Sequence, residues 1–145
     1  MAGKLSTEEM VKLVLRDAQA EADRDLEATM ATLVDDPYFE IWPNGYTFSG
    51  REAVTEWYRP YLTRLTPAPI EPVNNLNLWC GDDTLVSEDI AVMQFNDGSR
   101  GPIRTLSIWS FEGALLKGER AYFDERGAHW IGQHVDDDFA RRFLG

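Results

Sequence analysis

The chain has 145 residues, and its 25 acidic against 14 basic side chains give a formal charge of −11, which opposes association with phosphate backbones and anionic lipid surfaces. Its 43% hydrophobic and 12% aromatic content is that of a globular domain with a core of useful size, and it excludes a disordered chain. The lone Cys80 has no partner for an intramolecular disulfide, and the first ten residues, MAGKLSTEEM, contain no apolar run of membrane-spanning length. The expectation is one cytoplasmic domain over residues 1–145 that binds neither nucleic acid nor membrane.

The segment STEEMVKLVLRDAQAEADRDLEATMATLV opens with a capping-box pattern, Ser6 or Thr7 followed by Glu9, and continues with apolar residues at helical spacing. It predicts a helix over about 6–34, bent near Ala22 to Asp25. PYFEIW reads as a short strand and PNGYTFSG as a turn centred on Asn44-Gly45. REAVTEWYRPYLTRL reads as a helix kinked or broken near Pro60, which lacks an amide hydrogen. Beyond the proline-rich TPAPIEP come four strand-like runs: VNNLNLWC, TLVSEDIAVMQF, PIRTLSIWSF and LLKGERAYFD. Short polar turns separate them. The ending HVDDDFARRFLG places acids before arginines, as the dipole of a short helix favours. Helices first and hairpins afterwards indicate an α+β fold with helices packed on one face of a sheet.

The segment RDLEATMATLVDDPYFEIWPNGYTFSGREAVTEWYRPYL resembles, without a gap, the helix, strand, turn and helix of the nuclear-transport-factor-2-like superfamily, its ketosteroid isomerases in particular. FEGALLKGERAYFD resembles the last hairpin of that superfamily in SnoaL-like polyketide cyclases and limonene epoxide hydrolases. The resemblance implies a cone, a curved antiparallel sheet wrapped round N-terminal helices, enclosing an apolar cavity and forming a homodimer. Carried over residue by residue, the isomerase set fails: its proton-shuttling aspartate falls on Ile41, its oxyanion-hole aspartate near Ser107 and its oxyanion tyrosine on Asp17, although its supporting tyrosine matches Tyr58. Of the epoxide hydrolase trio only the last-strand aspartate matches, at Asp124. The other two positions are Asp89 and Ala91. The acid/base aspartate of the SnoaL-like cyclases also falls on Asp124.

Pairing the last hairpin through its Gly113-Ala114 turn sets Ser107 opposite Arg120 and Thr105 opposite Tyr122, so that Arg120, Tyr122 and Asp124 look into the cavity. Asp124 then reads either as a proton-transfer group or as a strand-end carboxylate accepting amides from the next turn. Asp89 interrupts an apolar face, which an unpaired carboxylate would make costly, and Arg120 is its expected partner. Asp17 shares a helical stripe with Met10, Leu13, Val14 and Ala20/Glu21, either as a boundary residue or as a second acid beside Tyr58. Phe39, Ile41, Met93, Trp109 and Trp57, with Tyr61 as an alternative, complete the expected wall. His129 and His134 read as turn or rim residues.

Together these readings describe an enzyme without cofactor or metal, acting on a small apolar molecule through Asp124, Arg120, Asp89 and Asp17. The rival reading is a non-catalytic ligand-binding or dimeric interaction module. The expected dimer face is the outside of the sheet, with Ile90, Val92, Leu106, Ile108, Glu119 and Phe123 upon it.

Overall fold

The computed structural model describes residues 4–145; the start of the expected domain, residues 1–3, lies outside the described residues. Helix α1 spans Thr7–Ala22 and is capped by the Ser6 hydroxyl, which accepts the Glu9 amide. The chain then reverses through Arg24 at φ 57, and α2 (Leu26–Met30) starts on the Asp25 carboxylate. The bend therefore falls where the sequence places it, but the helical region ends sooner. Strand β1 (Leu33–Trp42) already begins where helix was expected to finish.

After β2 (Tyr46–Ser49), α3 runs unbroken over Arg51–Arg64, with Pro60 inside it. The expected break does not occur. Pro60 stands on the partly exposed side of the helix, where the Glu56 carbonyl deprived of its amide partner can turn to water. Strands β3 (Asn74–Cys80), β4 (Thr84–Gln94), β5 (Arg100–Glu112) and β6 (Leu115–Phe123) follow within one to two residues of the expected runs. The segment ERGAH, read as a turn, opens a helix, α4 (Glu125–Gly132), and α5 covers Asp137–Phe143 with Asp136 as its cap.

The six strands form one sheet in the order β2-β1-β6-β5-β4-β3. Only the β1–β6 pair is parallel; the others are antiparallel. This curved, mostly antiparallel sheet with helices against its inner face is the α+β architecture expected. The core lies between them and is markedly aromatic: Phe48 and Phe139 pack on Trp57 with ring centres 5.0 and 5.8 Å away.

The register of the last hairpin decides which residues enter that core. Its first rungs, Glu112 with Leu115 and Phe111 with Leu116, follow the expected pairing. Ser110 then pairs with Gly118, leaving Lys117 as an extra residue on β6. This is a β-bulge, and from it onward every side chain of β6 changes face. Ser107 stands opposite Ala121, Trp109 opposite Glu119 and Ile108 opposite Arg120. Gly118 is what the bulge requires, because a Cβ there would lie 2.5 Å from the Tyr38 ring and 2.6 Å from its carbonyl oxygen. The inner row of β6 is thus Glu119, Ala121 and Phe123, and the outer row is Arg120 and Tyr122.

Candidate active site

Five elements meet round a cavity of about 120 Å³. Glu21 reaches it from the last turn of α1, Phe39 and Ile41 from β1, and Trp57, Tyr58 and Tyr61 from one stripe of α3. Glu119, Ala121 and Phe123 enter from β6, while Trp130 and Ile131 of α4 close the far side. The α3 trio sits at i, i+1 and i+4, and Tyr58 stacks edge-on against Phe39 at 5.8 Å and against Tyr61 at 5.7 Å. A larger groove of about 440 Å³ lies outside, between α2, α3 and α5. Its arginines are already engaged, Arg24 by the Leu62 and Leu65 carbonyls, Arg59 by Glu56, Arg64 by Asp136 and Arg142 by Glu52.

The polar part of the cavity is acidic. Asp17, one turn before Glu21 on α1, is 8% exposed and accepts the Thr32 hydroxyl at 2.9 Å. Burial lifts its pKa from 3.8 to about 6, against the pull of Thr32 and of Arg16. Glu119 rises from 4.5 to about 7, first through burial and then through the Asp17 charge, while Ser107 draws it back. Glu21 is held well above the usual carboxylate range by burial, Asp17 and Glu119, despite the facing Tyr58 and Tyr61 hydroxyls. Both phenols are pushed up in turn, by burial and then by Glu21. All three carboxyls are thus pushed toward their protonated forms, chiefly by burial. Near neutral pH Glu119 is close to its midpoint.

The sequence-expected residues fall into two groups. Phe39, Ile41, Trp57 and Tyr58 line the cavity, Asp17 stands behind Glu21, and Ser107 is buried beside Glu119. Asp124, Arg120 and Tyr122 do not face it. Asp124 is exposed and caps α4, accepting the Gly127 amide at 2.8 Å. Arg120 and Tyr122 lie on the outer face, Tyr122 41% exposed, because the bulge at Lys117 turns them there. Asp89 faces inward near the sheet edge, but its partners are the Ser87 hydroxyl at 2.6 Å and the Asn75 amide at 2.8 Å, not Arg120. Met93 is buried in the core and Trp109 packs against it, yet neither reaches the cavity. His134, expected at the rim, is 1% exposed in the core, edge-on to Trp57 at 4.3 Å, and burial lowers its pKa to about 4.

The sequence reading misses Glu119 and Trp130 as site residues and carries Glu21 only as a stripe neighbour of Asp17. Glu21 carries a signal, since it follows Asp17 at helical i+4 spacing. For Glu119 the signal is Gly118, an isolated glycine within a strand pattern, which marks a bulge. Replacing Asp124 by asparagine is expected to cost about 1 kcal/mol, through weaker charge-assisted capping of α4, with the cavity's proton chemistry unchanged. Thermal midpoints measured beside ligand conversion check this.

No protein-family model matches the chain, and no curated protein does. Solved structures do match. An NTF2-like protein of unknown function from Burkholderia pseudomallei is 16% identical, with 91% of this chain and 100% of that one covered at a TM-score of 0.67. SalBIII, an epoxide hydrolase/cyclase-like enzyme in pyran ring formation in the polyether salinomycin, is 13% identical over 82% of this chain and 93% of its own, TM-score 0.65. An isomerase candidate from Bacillus subtilis is 12% identical over 87% and 94%, TM-score 0.68. The chain has the nuclear-transport-factor-2-like fold. Its structural neighbours include enzymes and proteins of unknown function. None of the helices among the described residues is long and apolar enough to cross a membrane.

Proposed function

We propose that this chain is a cofactor-independent enzyme that moves protons on a small, largely apolar molecule bearing a carbonyl, hydroxyl or epoxide oxygen. The observation that carries the reading is the pair Glu21 and Glu119, which enter one aromatic cavity from α1 and β6 in different surroundings, Glu21 facing the Tyr58 and Tyr61 hydroxyls and Glu119 facing Ser107. Two carboxyls whose surroundings separate their pKa values can divide acid and base duties. Glu21, held well above the usual carboxylate range, donates to the substrate oxygen with Tyr58 or Tyr61 as a further donor. Glu119, near its midpoint, accepts a proton from an adjacent carbon, as a general base with a pKa close to the working pH does most effectively. Isomerisation, dehydration, cyclisation and epoxide opening share this pair of steps, and the SalBIII and isomerase-candidate folds support an enzyme of that group.

The test is solvent deuterium entering the carbons beside the carbonyl of cyclohexanone, followed by NMR. Protein-dependent exchange that saturates with ketone supports the proposal. The small cavity and the capping role of Asp124 favour the rival, a binding module, for which the ketone would bind without exchange.

The protein acts as a homodimer through the outside of its sheet. Ile90, Val92, Leu106 and Ile108 lie half-buried on that face beside the exposed Trp79 and Tyr122. Glu119 and Phe123, expected among them, face inward instead. Within the same face the Arg120 Nε is buried with no hydrogen-bond partner among the described residues, and a second copy would supply an acceptor. Light scattering at micromolar concentration is expected to give twice the 16.5 kDa chain mass. A mass of one chain would refute the dimer.

A further inference from the structure

Asp89 and Ser107, both singled out in the sequence, stand outside the cavity wall, yet the sheet joins them to Glu119. Along the inner face of β4 the side chains run Leu85, Ser87, Asp89, Ala91 and Met93, and along β5 they run Ile103, Thr105, Ser107 and Trp109. The polar members adjoin one another. Ser107 is the direct partner of Ser87 in the ladder, while Asp89 has Thr105 on one side and Asn75 on the other. At one end of this band the Ser107 hydroxyl meets the Glu119 carboxyl. At the other, the Ser87 hydroxyl donates to Asp89 Oδ2 at 2.6 Å and the Asn75 amide to Asp89 Oδ1 at 2.8 Å. Ser87 and Ser107 are each 4% exposed. A buried hydroxyl is costly unless it is hydrogen-bonded, and alanine fills neighbouring inner places at Ala91 and Ala121. Directly opposed strand residues hold their Cβ atoms about 5 Å apart, which puts the two serine hydroxyls within hydrogen-bonding reach of each other.

We propose that Ser107, Ser87 and Asp89 form a proton relay that connects Glu119 with water at the edge of the sheet. This rests on the acid/base reading of the cavity and extends it. A ligand that fills a space of about 120 Å³ displaces the water around Glu119, so the proton that Glu119 takes from carbon needs a path that the ligand does not block. A hydroxyl both donates and accepts, which lets each serine pass on one proton as it receives another.

In the outward step the Glu119 O–H bond breaks and its proton joins Ser107 Oγ, the Ser107 proton moves to Ser87 Oγ, and the Ser87 proton moves to Asp89 Oδ2. Each serine gains one proton and loses one, so the net change is a single proton carried from Glu119 to Asp89. Asp89 is half-buried beside β3, whose residues are all exposed, and there water takes the proton. The reverse passage returns a solvent proton to Glu119. Asn75, by holding Oδ1, leaves Oδ2 turned toward Ser87.

The test is protein-dependent deuterium exchange into cyclohexanone, at constant pH and ionic strength, for the wild type, Asp89→Asn, Asp89→Ala and Ser87→Ala, each with and without sodium formate. Exchange is expected to fall about tenfold or more in all three variants. Formate, a carboxylate small enough to occupy the space that Asp89→Ala opens beside the Ser87 hydroxyl, should restore that variant toward the wild-type rate. It should not restore Ser87→Ala, in which the chain is cut nearer Glu119, and it should leave the wild type unchanged. A loss of rate through disturbed packing alone would not show this pattern. Variants that exchange at the wild-type rate, or an Asp89→Ala rate that formate does not raise, overturn the relay and leave the acid/base reading standing. Absence of exchange in the wild type removes the acid/base reading and the relay with it.

Discussion

Replacing Glu119 by glutamine is expected to lower protein-catalysed deuterium exchange into cyclohexanone by roughly 10² or more while raising the thermal midpoint at pH 8. The two effects share one cause. The amide keeps the shape of the carboxyl and its contact with Ser107 but can neither take nor give the proton, so the base is lost. It also removes an ion that the fold holds at a cost, since burial and Asp17 raise its pKa from 4.5 to about 7. At about 1.4 kcal/mol per pH unit, that rise is on the order of 3 kcal/mol once the group is ionised, and less where cavity water solvates it. Lost activity with gained stability is the signature of a site that function maintains against folding. A glutamine variant that loses both would make Glu119 a structural residue.

The wild-type protein is expected to be more stable at pH 5 than at pH 8. Asp17 and Glu119 have folded pKa values, about 6 and about 7, above their ordinary 3.8 and 4.5. Their contribution is complete below about pH 4 and is lost as pH rises through 6 and 7. Glu21 acts in the same direction. His134 acts oppositely: its folded value, about 4, lies below the ordinary 6.5, so its contribution is full above that value and fades as pH falls toward 4. Between pH 5 and 6 three carboxyls outweigh one imidazole. Denaturant unfolding across this range should show stability falling by several kcal/mol toward pH 8, with the slope reduced in Asp17→Asn and Glu119→Gln. A curve rising steadily to pH 8 would place these carboxyls in water.

Much of the fold is legible because local rules and global packing agree. The Ser6 cap, the apolar stripe through Met10 and Leu13, and the alternation along β4 and β5 each mark an element that the core requires. Pro60 and the ERGAH segment were harder. A proline on the outer side of a helix costs less than its propensity suggests, and α4 has a short sequence whose start depends on Asp124 acting as a cap rather than as an acid. The site was half legible. Residues that no register shift turns from their expected face, Phe39, Ile41, Trp57 and Tyr58, reach the cavity as their spacing indicates. On β6 the alternation is equally clean, but alternation fixes which residues share a face and not which face that is. One extra residue at Lys117 reverses the assignment, exchanging Arg120, Tyr122 and Asp124 for Glu119, Ala121 and Phe123.

That reversal places Glu119 in the cavity, and its proton affinity is the most direct measure of where it lies. Side-chain carboxyl NMR of protein carrying ¹³C-labelled glutamate, with Glu119→Gln assigning the signal, should give a titration midpoint for Glu119 near 7. A midpoint near the ordinary 4.5 would put the carboxyl in solvent and contradict both the register and the acid/base site built upon it.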